Sequence, residues 1–256
     1  MEVVHKALRY FDRPTYLWTP MQHKAVHALR RWLDIWKGPD AGEKPMRQVI
    51  GLISKIFFLG KLKRCKFRWD EGLVHPSPAV GITDLLAKGV VSIRMDPSDY
   101  HEADETDDVV TSHIGTLLHE CAHAFIKLYT CGLLCDHAVC KQSHAKIEGH
   151  TGHAQAWLLL ACRLERTARI VLGLDVRLGI CQSLRLEFLD TRYVPSSEVW
   201  WQMTDVYVGE IDRYLADVYH LQSIPALGPE RTHIRPAVVQ LTHEEDAAQL
   251  PSDMAR

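Results

Sequence analysis

The tightest constraint on this chain is a five-residue run, His119-Glu120-Cys121-Ala122-His123, set in apolar surroundings. Thr116-Leu117-Leu118 precedes it and Ala124-Phe125-Ile126 follows it, so the run reads as part of a buried helix. Histidines four positions apart lie one turn apart on a single helix face, and their imidazoles can reach one metal ion. A glutamate directly after the first histidine projects beside that ion, where it can take a proton from water activated by zinc. The competing reading is a pair of core histidines hydrogen-bonded to backbone or carboxylate groups, with no metal.

A catalytic zinc takes three protein ligands and keeps one position open. The metzincin extension would place glycine at 126 and histidine at 129; these positions hold Ile126 and Tyr129, which excludes that class. Glu148 and Glu165 are available for a thermolysin-like arrangement, but neither lies in a recognisable ligand context. His153 is the favoured third ligand. It sits at a helix start in Gly149-His150-Thr151-Gly152-His153-Ala154-Gln155-Ala156-Trp157, where Trp157 can anchor the turn in the core. His150 is its competitor.

The surrounding pattern is mixed. Thr19-Pro20 opens the first clear helix, with Met21, Ala25, Leu29, Trp32, Leu33 and Trp36 on one face and Gly38 ending it. A second helix is expected over 46–58. Phe67 and Trp69 alternate with Lys66 and Arg68 as in a half-buried strand, and 80–86 and 90–95 read as further short strands. Three strands so close in sequence favour a small antiparallel sheet. Helices are expected over 107–129 and 154–172, the latter ended by Gly173, and over 198–221. Residues 174–193 are ambiguous, and after Pro225 the periodicity is lost, as in a flexible tail. The expected organisation is a metalloprotease-type domain at 15–173, a helical extension at 174–224 and a tail at 225–256.

Composition narrows the class. The chain has 256 residues, 46% hydrophobic and 24% charged, an ordinary globular balance. Apolar runs such as Ile56–Leu59 and Trp157–Cys162 fall far short of the roughly 18 residues that span a bilayer. The first residues have scattered charges and no apolar core of a secretory signal, so an intracellular protein, nuclear or cytoplasmic, is expected rather than a secreted or membrane one. There are 15 histidines and 7 cysteines. In a reducing compartment their crowding between His113 and His153 suggests metal before disulfides.

Together, the Thr-Leu-Leu-His-Glu-x-x-His-Ala-Phe helix at 116–125, the Cys/His-rich insert after it and the Gly-His-x-x-x-Trp opening at 152–157 resemble the SprT-like zinc metalloprotease family. That family includes the Spartan proteases that act on DNA–protein crosslinks. The resemblance covers roughly 15–172 and rests on 116–125 and 149–157. It implies an α+β, zincin-like domain with the active-site helix against a short sheet. It further implies Zn2+ held by His119, His123 and His153, Glu120 as catalytic base, and a protein substrate. The chain departs from the family in having Ala154 after the third histidine, a longer insert and no paired Cys-x-x-Cys towards its C-terminus.

Two other clusters stand out. Cys131, Cys135 and Cys140, with His137 and His144, are candidates for a second metal site, although the spacing matches no ribbon or finger and thiols or a local disulfide account for it as well. Lys61, Lys63, Arg64 and Lys66, interleaved with Phe67 and Trp69, are candidates for nucleic-acid contact; a solvated strand face with Phe67 and Trp69 in the core is the simpler reading, since alternation explains the residues without DNA. Residues 1–70 contain fifteen Lys/Arg against six Asp/Glu, which keeps DNA in view as a partner. Three functions compete at this point: a zinc-dependent peptidase, a non-catalytic zinc-stabilised scaffold that binds nucleic acid or protein, and a fold without metal.

Overall fold

The computed structural model describes residues 1–36, 42–73, 80–87, 89–98, 109–130, 135, 137–140 and 147–204. At the N-terminus, Val4, Ala7 and Phe11 recur at helical spacing and bury one face of helix α1, Glu2–Phe11. The charges between them hide this helix from a reading by composition, and the first helix expected from sequence is the next one. That helix, α2, runs Pro20–Ile35. Thr19 caps it through a reciprocal box. The Thr19 hydroxyl accepts the Gln22 N–H at 3.2 Å, and the Gln22 side chain accepts the Thr19 N–H at 3.0 Å. The amide end of Gln22, fully buried, donates to the carbonyls of Tyr10 and Ile56, each at 3.1 Å. One side chain thus ties α1 and α2 to α3, Glu43–Phe57. Gly38, the expected stop of α2, lies outside the described residues; Trp36 caps the helix.

The sheet has strands β1 (Cys65–Trp69), β2 (Gly81–Ala87) and β3 (Val90–Met95) in the order β1-β3-β2. Here one expectation is corrected: the sheet is mixed. β2 and β3 form an antiparallel hairpin, but β1 runs parallel to β3, with Phe67 opposite Ile93. A parallel pair needs a crossover of about a dozen residues or more. The stretch 70–89, which contains β2, supplies it, so the short spacing between neighbouring strands is no obstacle. Phe67, Val91, Ile93 and Met95 are buried, as their alternation requires.

Helix α4, Val109–Tyr129, lies across β2 and β3; the described start falls two residues after the expected one. Helix α5, Gln155–Leu172, packs on α4, α1 and α2 and ends at Gly173 in the left-handed conformation. The ambiguous stretch resolves into an irregular segment, 174–179, and helix α6, Ile180–Thr191. Helix α7 is Ser197–Thr204; the remainder of the expected 198–221 helix and the expected tail lie outside the described residues. One hydrophobic cluster extends from Val4 on α1 to Met203 on α7. The molecule is therefore α+β, and no described helix is long and apolar enough to cross a membrane.

Replacing Gln22 by alanine removes half of the capping box and leaves two carbonyls between helices without their donor. Buried groups orphaned in this way cost about 1–3 kcal/mol. Q22A should lower unfolding free energy by about that amount in denaturant titration, whereas alanine at the exposed Lys24 on the same helix should leave it nearly unchanged.

Candidate metal centre

The site starts from the geometry of α4. His119 and His123 project from one face one turn apart, and the loop 148–154 brings His153 to meet them. The three Nε2 atoms stand 3.1 Å from one another in all three pairs. Neutral imidazoles bring at most one proton each to such a triangle, and on two of the rings a hydrogen bond on the far side takes that proton away. His119 donates Nδ1–H to the carbonyl of Leu178 at 2.8 Å. His153 has its Nδ1 3.0 Å from the Thr151 hydroxyl, which in turn bonds to the carboxylate of Glu187. Both rings therefore present a lone pair at Nε2. Burial favours the neutral form of all three rings: it pushes His119 down to about 4, and His123 and His153 well below the ordinary histidine range, helped by the neighbouring rings.

Lone pairs converging on one point are what a cation needs. Nitrogens about 2.0–2.1 Å from one zinc at near-tetrahedral angles stand about 3.3 Å apart. The observed 3.1 Å is within a few tenths of an ångström of that, so the residues fit such an ion. Among the described residues this is the one group of three or more His, Cys, Asp or Glu side chains with donor atoms close enough to share a metal, and it has three members. His123 is buried, while His119 and His153 keep partial exposure, so the group is reachable from solvent.

Trp157, on the first turn of α5, forms the floor. Its ring lies 4.6 Å from His119, 4.7 Å from His153 and 5.6 Å from His123, centroid to centroid, nearly parallel to the last. Glu120 sits beside the triangle, with Oε1 3.9 Å from His119 Nε2. The Thr83 hydroxyl on β2 donates to its Oε2 at 2.7 Å. Gly81 leaves room for the carboxylate: a Cβ there would stand 2.8 Å from Oε1. Burial raises the Glu120 carboxyl to about 7, against the opposing bond from Thr83.

The remaining sequence candidates fall into place around this centre. His150 turns away and pairs with Asp190 on α6, so of the two rivals His153 is the one that joins the group. Glu148 accepts from the Thr130 hydroxyl at 3.3 Å, and Glu165 accepts the Leu178 N–H; neither joins the histidines. Cys131 and His144 lie outside the described residues. Cys135 and Cys140 are half-buried, His137 is exposed, and none of these three enters a metal-sized group among the described residues. Lys61, Lys63, Arg64 and Lys66 are all exposed along the loop and edge strand β1, with Phe67 buried beneath them.

Sequence reasoning missed Leu178, Glu187 and Thr151. Leu178 contributes a backbone oxygen, which has no side-chain signature. Its segment passes so close over α4 that a Cβ on Gly115 would stand 2.7 Å from the Arg177 carbonyl. Gly115, one turn before His119, was the available hint. Two further glycines shape the third-ligand loop: Gly149 and Gly152 have φ of +77° and +89°. Comparison with family models, with curated proteins and with solved structures returns no match to this chain.

A Cβ on Gly152 would stand 3.1 Å from His123 Cε1, in a backbone conformation that side chains disfavour by about 1–2 kcal/mol. G152A should reduce stability by about that amount in thermal unfolding and weaken divalent-metal binding in a competition titration. A variant that binds metal as tightly as the parent would show that the loop does not need this close approach.

Proposed function

We propose that this protein is a zinc-dependent peptidase acting on protein substrates. The observation that supports it best is the three-nitrogen group with a carboxylate at its side. Structural zinc sites are closed by four protein ligands, whereas catalytic sites use three and keep a position for water or substrate. Three histidines, partly open to solvent, match the second pattern. Glu120 favours it too, because a metal that only held the fold together would have no use for a buried carboxylate there. The resemblance of 116–125 and 149–157 to the SprT-like proteases points in the same direction.

A bound zinc would act as the Lewis acid that polarises a peptide carbonyl and lowers the pKa of water. The protein's own groups would do the rest. His119, His123 and His153 would hold the ion. Thr83 fixes Oε2 of Glu120, which leaves Oε1, the oxygen nearer His119 Nε2, to take a proton from the attacking water and deliver it to the leaving amine. Trp157 backs the three rings and excludes water from beneath them. Among the described residues β2 is paired on one side only. Its outer edge, next to Glu120, offers backbone groups to which an extended substrate can add as a strand.

Zinc analysis and peptide hydrolysis, compared in the wild type and Glu120→Gln, test this reading. Both proteins should hold about one zinc, and the variant should lose about 100-fold or more of the activity, as expected when a general base is removed. Equal hydrolysis by the two would overturn the peptidase assignment.

A nucleic-acid contact belongs to the same proposal, since Lys61, Lys63, Arg64 and Lys66 are all exposed within six residues of one another. Binding to single-stranded DNA should weaken as salt rises, and each lysine or arginine replaced should reduce the logarithmic salt slope by about 1. Binding that survives replacement of all four would remove DNA from the list of partners at this surface.

A further inference from the structure

Glu187 is a carboxylate with no exposure to solvent, and the centre described above does not use it as a ligand. Burying a carboxylate is costly unless several donors satisfy it. Glu187 has them: the Thr191 hydroxyl on its own helix lies 3.2 Å from Oε1, and the rest come from one place. Its Oε1 accepts the His150 N–H at 2.8 Å. Its Oε2 accepts the Thr151 N–H at 2.9 Å, the Thr151 hydroxyl, and the His153 N–H at 3.4 Å. The backbone of the third-ligand loop is thus wrapped around a single side chain reaching over from α6. Gly149 makes the fit possible, since a Cβ there would lie within 2.5 Å of Oε1.

We propose that Glu187, acting through Thr151, is the positioning residue that sets His153 as the third metal ligand. The proposal rests on the metal-centre reading given above. Its distinguishing feature is the hydroxyl link. A carboxylate that merely tied down a turn would need only the backbone N–H groups. Here the chain continues: His153 Nδ1–H donates to Thr151 Oγ, and the Thr151 hydroxyl donates to Glu187. This keeps the proton on Nδ1 and the lone pair on Nε2, facing His119 and His123. Outer contacts of this type fix both ring orientation and tautomer. His119 receives the same service from the Leu178 carbonyl. Leu178 is itself held by its N–H to Glu165. Two of the three ligands are therefore oriented by residues beyond Gly173. That assigns a role to 174–191: it is the outer shell of the metal centre and not an appendage to it.

The test uses the full chain, stripped of metal, with zinc affinity read by competition against a chromophoric chelator and the ligand field read from the absorption of the Co2+-loaded protein. Glu187→Gln and Thr151→Val should each weaken zinc binding by about 10–100-fold and alter the Co2+ bands. Thr151→Ser restores the hydroxyl and should bind zinc within about twofold of the wild type. Because both changes break one relay, the double variant should be little weaker than the weaker single one. Thermal unfolding of the metal-free proteins identifies any general loss of fold. Should Glu187→Gln fail to fold, Thr151→Val decides alone, since it leaves the backbone bonds to Glu187 in place. Wild-type affinity and spectrum in Thr151→Val would overturn the role of Glu187 while leaving the metal centre intact. A wild-type chain that binds no zinc would overturn both.

Discussion

Three imidazole nitrogens turned towards one point, two of them on rings whose proton is drawn to the far side by an outer hydrogen bond, are the constraint around which this site is arranged. Like-oriented lone pairs repel, and burial removes the water that would otherwise separate them. A cation would relieve that repulsion, and the group has the spacing to hold one. Several otherwise unrelated features follow from it. They include the aromatic floor under the rings, the glycines that let a loop and the segment 174–179 approach α4, and the buried carboxylates on α5 and α6.

The centre draws on four separate parts of the chain. Helix α4 supplies two ligands and the neighbouring Glu120. Strand β2 supplies the hydroxyl that holds Glu120, and the loop leading into α5 with that helix's first turn supplies His153 and Trp157. The segment from 174 to 191 supplies the contacts behind His119 and His153. These parts are fixed by ordinary packing, since α4 is apolar on nearly every side and is clasped between the sheet and α5. Rigidity of the supporting elements matters because metal geometry tolerates displacements of only tenths of an ångström.

Much of this was legible from sequence, for a reason tied to length scale. His119 and His123 meet because a helix turn is local, and the four-residue spacing encodes it. Trp157 and His153 are likewise neighbours in a short segment whose glycines announce a turn. The helices α2, α3, α4 and α5 show their apolar faces directly. The features that were not legible depend on chain reversals with no local signature. The parallel pairing of β1 with β3 is decided by where the β2 hairpin folds back. Glu187 lies 34 residues beyond His153 in a stretch where apolar spacing is irregular, and nothing in its neighbours distinguishes it from a surface glutamate. Helix α1 was missed because its three buried positions are small in number and set among charges.

The ligands occupy positions 119 to 153, but the carbonyl behind His119 belongs to Leu178 and the acceptor beyond Thr151 belongs to Glu187. During synthesis from the N-terminus, all three histidines are made well before either of these groups exists. A nascent chain ending between them has its donors in hand and nothing to aim them. The three histidines therefore take their final orientation late, after α6 has been made and has docked.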